Sequence, residues 1–277
     1  MREFPLVSLL FPLYKSAENL KIIVKNIDAV DYPNVEFLFG DRHGLDDTIL
    51  QLKERYKNDV RFKYFETKDG QDWRVNTNNL IAHSNGDFYR FMPHDDLFPV
   101  CGLREMVKEM QGHPECIVVY SPVKHFFKND PEKKMYGNRV NERYFKNEFL
   151  DTLSMNFPIK HAGSFRGLTR LNKIRELQLE IIESTILCDR YYLFGLKLLG
   201  TFRFIQAGSS IKQMHDESVS HKWINKMGAS KIGVLKEAYT MHQIYLKRTN
   251  NSRAVVVLSK CIITFFILKF TIKYSLN

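Results

Sequence analysis

The chain has 277 residues, 44% of them hydrophobic and 26% charged, with a net charge of +10. That length and apolar content suit one large buried core, and they exclude a disordered or collagen-like chain. Four scattered cysteines, Cys101, Cys116, Cys188 and Cys261, have no metal-site spacing and do not suggest a disulfide framework. The basic balance is compatible with nucleic acid, an anionic membrane or a phosphorylated ligand. No nucleic-acid-binding motif accompanies it, so nucleic acid is not an expected partner.

In chain order, Leu6 to Leu10 reads as a short apolar strand running into Phe11-Pro12-Leu13-Tyr14-Lys15. A helical stretch follows from about Ala17 to Val30. Val35 to Phe39 reads as a second strand, ending in the polar run Gly40 to Thr48, with a helix to Tyr56. Phe62 to Phe65 is a third strand. The polar residues after it, including Arg74, Asn76 and Asn78, read as a loop before the next strand, Phe88 to Met92. Alternating strands and helices predict an α/β fold, a parallel sheet with helices on its faces. In such sheets ligands sit beyond the carboxyl ends of the strands, which brings Tyr14, Asp41 and Asp95-Asp96 to one crevice.

His94-Asp95-Asp96, at the end of that fourth strand, is the sharpest signal. Adjacent carboxylates repel and cost desolvation, unless a cation or strong donors compensate them. Paired acids on a hard divalent ion hold diphosphates. The alternative is a solvated turn with a helix N-cap.

The ordered set of segments resembles glycosyltransferase family 2, whose GT-A fold binds nucleotide sugars. Val7 to Tyr14 is similar to the family's first strand with its Pro-x-Tyr ending, and Asp41 to Thr48 to its Asp-rich loop. Asn78 to Asp87 resembles the segment before the metal-binding aspartates, and His94-Asp95-Asp96 takes their place. Cys188 to Gly200 resembles the Glu-Asp helix that carries the catalytic base. Lys212 to Ser220 resembles a loop that closes over the diphosphate.

The resemblance implies a GT-A Rossmann-like mixed sheet flanked by helices over residues 1–220, with a C-terminal helical extension at 221–277. It implies Asp189 as base and Mg²⁺ or Mn²⁺ on Asp96 and Asp95, with His215 as a further ligand. Pro12, Tyr14, Asp41, Asn78, Asp95 and Lys212 are then expected at the nucleotide-sugar donor. The implied reaction is inverting sugar transfer to a hydroxyl of a glycan or lipid-linked acceptor, in surface polysaccharide synthesis. Three positions depart from the family pattern: Arg42 replaces the second loop aspartate, Pro93 the first aspartate of Asp-x-Asp, and Cys188 the glutamate. These departures keep open a catalytically silent binding protein. The charge keeps open a basic membrane-surface protein without chemistry.

His161 to Arg166 is expected on the acceptor side, with Arg166 able to hold an anion. Trp73 and Tyr14 are candidates to stack on a base, or simply core aromatics. No signal peptide is recognisable, which suggests a cytoplasmic location. Ala254 to Ile272 is mostly apolar but interrupted by Lys260 and Lys269. As a helix it would span about 28 Å at about 1.5 Å per residue, barely a bilayer core. An interfacial helix with snorkelling lysines on the cytoplasmic face of a membrane fits that pattern better, and a helix packed on the protein's own core is the alternative.

Overall fold

The computed structural model describes residues 3–42, 46–67, 72–127, 136–137, 162–183, 188–214 and 231–249, together with 257, 258, 261 and 264. The elements are β1 (Val7–Pro12), α1 (Leu20–Asp28), β2 (Val35–Arg42), α2 (Thr48–Arg55), β3 (Phe62–Thr67) and α3 (Trp73–His83). Then come β4 (Phe88–Phe91), β5 (Leu97–Val100), α4 (Leu103–Gly112), β6 (Cys116–Tyr120), β7 (Val123–Phe127) and β8 (Tyr136–Gly137). A 3-10 turn (Ala162–Arg166) leads to β9 (Leu168–Arg170), α5 (Asn172–Glu176), α6 (Cys188–Lys197), β10 (Thr201–Phe204), β11 (Ser209–Met214) and α7 (Lys231–Arg248).

Seven strands form a mixed sheet in the order β10-β6-β9-β4-β1-β2-β3. β1 pairs in parallel with β2 and β4, while β9 runs antiparallel between β4 and β6. The fold is therefore the mixed α/β sheet flanked by helices that the family resemblance implies, with antiparallel β9 interrupting the parallel sheet read from the strand–helix rhythm. β1 is buried at all six positions, as a central strand covered on both faces must be. Val7, Leu9 and Phe11 join Phe37 and Phe39 in a core with α1 and α4, while Leu10 and Leu38 meet α3 and α6 on the other face. Each such side chain contributes about 1.5–3 kcal/mol when fully buried. A second, four-stranded sheet has the order β5-β11-β7-β8.

Two local expectations change. The stretch holding Arg74, Asn76 and Asn78 is α3, not a loop. Its start is fixed by Asp72, whose carboxylate accepts from Arg74 N at 2.9 Å and Val75 N at 3.4 Å. Its core-facing residues include polar Asn76 and Thr77 beside Leu80 and Ile81, so the apolar periodicity that marks a helix is missing. Lys212, expected in a loop, lies on β11, paired in parallel with β7 and antiparallel with β5.

The described part of the C-terminal extension packs on the sheet-bearing unit. Tyr245 and Leu246 of α7 are buried, and Tyr245 Oη donates to Glu180 O at 2.8 Å. The 220/221 boundary falls outside the described residues. Of 254–272, Val257, Leu258, Cys261 and Thr264 are described, helical and exposed. Among the described residues no helix is long and apolar enough to cross a membrane.

Candidate active site

The carboxyl ends of β1, β2 and β4 lie on one edge of the sheet, as their parallel register requires. Antiparallel β9 brings its amino end, and Arg166 before it, to the same edge. Leu13 N donates to Gly40 O at 2.7 Å, and the His94 imidazole Nδ1 lies 3.3 Å from Pro12 O. These contacts stitch the strand ends together. Asn76 reinforces them from α3, donating to Gly40 O at 2.9 Å and accepting from Thr67 Oγ1 at 3.1 Å. Pro12 thus shapes the edge through its carbonyl. Tyr14 is 42% exposed, enough to meet a ligand. Asp41, near the end of β2, is buried at 7% exposure.

Asp95 and Asp96 occupy the turn from β4 into β5, where the chain passes from the large sheet to the small one. Asn26, buried on α1, fastens that turn on both sides. Its Nδ2 donates to Asp96 O and its Oδ1 accepts from Phe98 N, each at 2.8 Å. Asn26 escaped the sequence reading. Its signal is a polar residue at a core-facing position between Ile23 and Ile27.

Asp96 is fully buried, with one oxygen, Oδ2, accepting from Arg166 Nε. Its other oxygen, Oδ1, is also buried and has no hydrogen-bond partner among the described residues. Burial pushes the Asp96 carboxyl up. Arg166 pulls it back, Asp95 adds to the rise, and Lys212 opposes it. Arg166 is held above its ordinary value: burial works against its charge, but Asp96, Asp95 and Asp189 outweigh that. Lys212 is pushed down by burial and by Arg166, against the pull of Asp96, Asp189 and Asp95.

Asp95, Asp96, Arg166, Asp189 and Lys212 therefore feel one another, although they come from four separate elements of the chain. The sequence placed Arg166 on the acceptor side; here it lies on the carboxylate expected to hold a metal.

Asp189 sits in the first turn of α6 and its Oδ1 accepts from Arg190 N at 3.0 Å. The helix is anchored by buried Tyr192 and Leu196, with buried Leu199 just past its end. Burial raises the Cys188 thiol to about 12, with the Asp189 charge adding to it. Cys188 is thus a neutral packing group and does not replace the family's glutamate.

Asn78, expected at the donor, is committed elsewhere. Its Nδ2 donates to Ile181 O at 3.0 Å and its Oδ1 accepts from Ile181 N at 2.9 Å. It holds the segment that leads towards Asp189. Trp73 packs edge-on against Phe165 at 6.0 Å, as a core aromatic does. His215 and His161 lie outside the described residues.

A divalent ion suits this donor set. Two adjacent hard carboxylates are present, and one buried oxygen of Asp96 has no hydrogen-bond partner among the described residues. Mg²⁺ commonly uses one or two carboxylates and completes its shell with water and substrate phosphate. Among the described residues no group of three or more His, Cys, Asp or Glu side chains converges, so the protein alone would not make a closed metal cage.

Known proteins share this fold. The chain matches 93 residues of a Campylobacter jejuni GalNAc(5)-diNAcBac-PP-undecaprenol beta-1,3-glucosyltransferase at 29% identity, covering 33% of this chain and 30% of that protein. The chain thus spans less than a third of the length of the curated relatives it matches. Among solved structures it resembles Staphylococcus aureus TarS 1-349 in complex with UDP (TM-score 0.61, 14% identity, 88% of this chain and 69% of that one). It also resembles the mannosyltransferase PcManGT from Pyrobaculum calidifontis in complex with GDP-Man and Mn²⁺ (TM-score 0.57, 14% identity, 86% and 64%). At such identities these two establish the fold. The family model for glycosyl transferase family 2 matches residues 8–176, more than half of the chain, and so the chain belongs to that family.

Proposed function

We propose that the protein is an inverting glycosyltransferase that moves a sugar from a nucleotide-diphosphate donor to a hydroxyl of a glycan or lipid-linked acceptor in surface polysaccharide synthesis. The observation that carries this reading is the Asp96–Arg166 ion pair beside Asp95 at the strand ends of a family 2 fold, with Asp189 and Lys212 near enough for their charges to act on Arg166 or Asp96. Tyr14 and Asp41 border that edge and are assigned to the nucleoside. Asp96 and Asp95 would hold Mg²⁺ or Mn²⁺, which as a Lewis acid would stabilise charge on the departing diphosphate. Lys212 and Arg166 supply fixed positive charge beside it. Asp189 takes the proton of the acceptor hydroxyl as that oxygen attacks the anomeric carbon, and one in-line displacement inverts its configuration.

The C. jejuni relative is named for a lipid-linked acceptor, which supports one here as well. A peripheral contact of residues 254–272 with the cytoplasmic face of a membrane would bring such an acceptor to the site. The apolar run with its two lysines supports that contact.

The test is release of UDP or GDP from a panel of UDP- and GDP-sugars, with and without chelator. Turnover that chelator stops and Mn²⁺ restores is expected. A protein that binds a donor but turns none over is the catalytically silent binding protein. Turnover undiminished in excess chelator removes the metal from the mechanism.

A further inference from the structure

Arg90 lies in the middle of the molecule with no exposed surface, on β4 four positions before His94. A buried guanidinium ordinarily answers a carboxylate. The hydrogen bonds of Arg90 instead run to main-chain oxygens and a thiol. Nε donates to Arg166 O at 3.0 Å, and Nη1 donates to Cys101 O at 2.5 Å and to Cys101 Sγ at 3.3 Å. The guanidinium carbon lies 4.8 Å from the centre of the Phe98 ring, and Nη2 has no hydrogen-bond partner among the described residues. An apolar side chain of similar volume could fill the space, but it would leave both carbonyls without this donor. What an apolar side chain cannot do is hold two separate carbonyls in fixed relation.

Those two carbonyls belong to the segments that carry the site. Arg166 is the residue whose guanidinium meets Asp96. Cys101 closes the stretch that begins at Asp95 and immediately precedes Gly102, where two left-handed glycines cross. Gly102 has φ +66° and Gly208 φ +76°, and a Cβ on Gly102 would lie 2.7 Å from Gly208 Cα. Gly208 in turn leads directly into β11 and Lys212. One buried side chain thus ties the Asp95–Asp96 turn, the Arg166 turn and the approach to Lys212 to a single point.

We propose that Arg90 is a positioning residue for sugar transfer: it fixes the Arg166 backbone against β5, and so sets the Asp96–Arg166 pair in the geometry that the reaction uses. The inference rests on the glycosyltransferase reading above. Displacements of about 1 Å in such a constellation cost on the order of a hundredfold in rate.

The experiment measures UDP release from UDP-glucose and UDP-N-acetylglucosamine, normalised to the folded fraction by circular dichroism. Arg90→Met is expected to lower kcat by about a hundredfold while donor KM moves less than about threefold, the signature of a lost transition-state interaction. Arg166→Ala placed on Arg90→Met is expected to cost less than about threefold more, because both substitutions break one coupled unit. Arg90→Lys keeps the charge but cannot hold two carbonyls. It is the variant to use if Arg90→Met does not fold, with an expected loss of about tenfold and the same non-additivity. An unchanged kcat per folded molecule, or losses at Arg90 and Arg166 that simply add, overturns the proposal. The same comparison is made with whichever donor of the UDP- and GDP-sugar panel the wild type turns over. Wild-type protein that neither binds nor turns over any donor of that panel overturns the glycosyltransferase reading, and this inference with it.

Discussion

Arg166 donates through Nε to Oδ2 of Asp96, joining the turn before β9 to the turn after β4 across 70 residues of sequence. The pair is buried on both sides, at 14% and 1% side-chain exposure. An ion pair of this kind is a weak source of net stability, but removing one partner strands the other charge.

Asp96→Asn is therefore expected to do two things. Donor turnover falls below detection. Stability falls by about 3–5 kcal/mol, because Arg166 keeps its charge without a counter-ion. Adding Arg166→Met should recover the stability but not the turnover. Urea denaturation alongside donor turnover separates the effects, and a single variant as stable as wild type contradicts the pairing.

Asp189→Asn tests the base. Asparagine retains an oxygen for the Arg190 N–H but cannot take a proton. Sugar transfer should fall by about a hundredfold or more, with nucleotide-sugar affinity retained. A near wild-type rate would move the base elsewhere. Glu183, whose side chain is 86% exposed beside Arg74, is the next carboxylate to examine.

Gly40→Ala tests the stitching of the strand ends. A Cβ there would fall 1.9 Å from Asn76 Oδ1, closer than any real contact. The loss is expected at about 1–3 kcal/mol, the usual range for overpacking. Asn76→Ser in the same chain should return part of it by clearing the clash. A Gly40→Ala melting temperature equal to wild type would contradict the close approach.

His242 makes the docking of α7 acid-sensitive. Its ring stacks on Phe194 at 4.1 Å, and burial holds its pKa down at about 3. In the unfolded chain an imidazole titrates near 6.5. The unfolded state therefore binds the extra proton between those values. This group costs nothing above pH 6.5 and lowers stability progressively as pH falls below it. Between pH 7 and pH 5 the His242 contribution is about 2 kcal/mol. His242→Leu should remove that part of the acid slope in denaturation curves. Parallel slopes for the two proteins would show that His242 is protonated in the folded state.

Removal of residues 254–277 tests the membrane contact. Full-length protein is expected to sediment with anionic vesicles and the truncated protein to stay in the supernatant, with donor hydrolysis kept. Full-length protein that ignores the vesicles removes the contact.

The sequence by itself determined the order of the first strands, because apolar runs ending on polar residues are local signals. It also singled out Asp41 and Asp95-Asp96 as carboxylates just past strand ends, while Asp189 was named through the resemblance to the family's Glu-Asp helix. Only tertiary structure decided the rest. α3 was hidden because polar Asn76 and Thr77 share its core face with Leu80 and Ile81, which breaks the apolar period. Asn78 looked like a ligand residue until the fold set it against the Ile181 backbone, 103 positions away. Lys212 belonged to a strand whose partners, β5 and β7, lie far from it in the chain. Arg166 was named for an anion on the acceptor side, but its pairing with Asp96, like the place of Arg90, became legible only when β9 ran antiparallel beside β4 and brought their segments together. Period and composition report what a residue prefers locally. Which buried charges meet is set by how distant strands pair, and that information is not present in any one window of the chain.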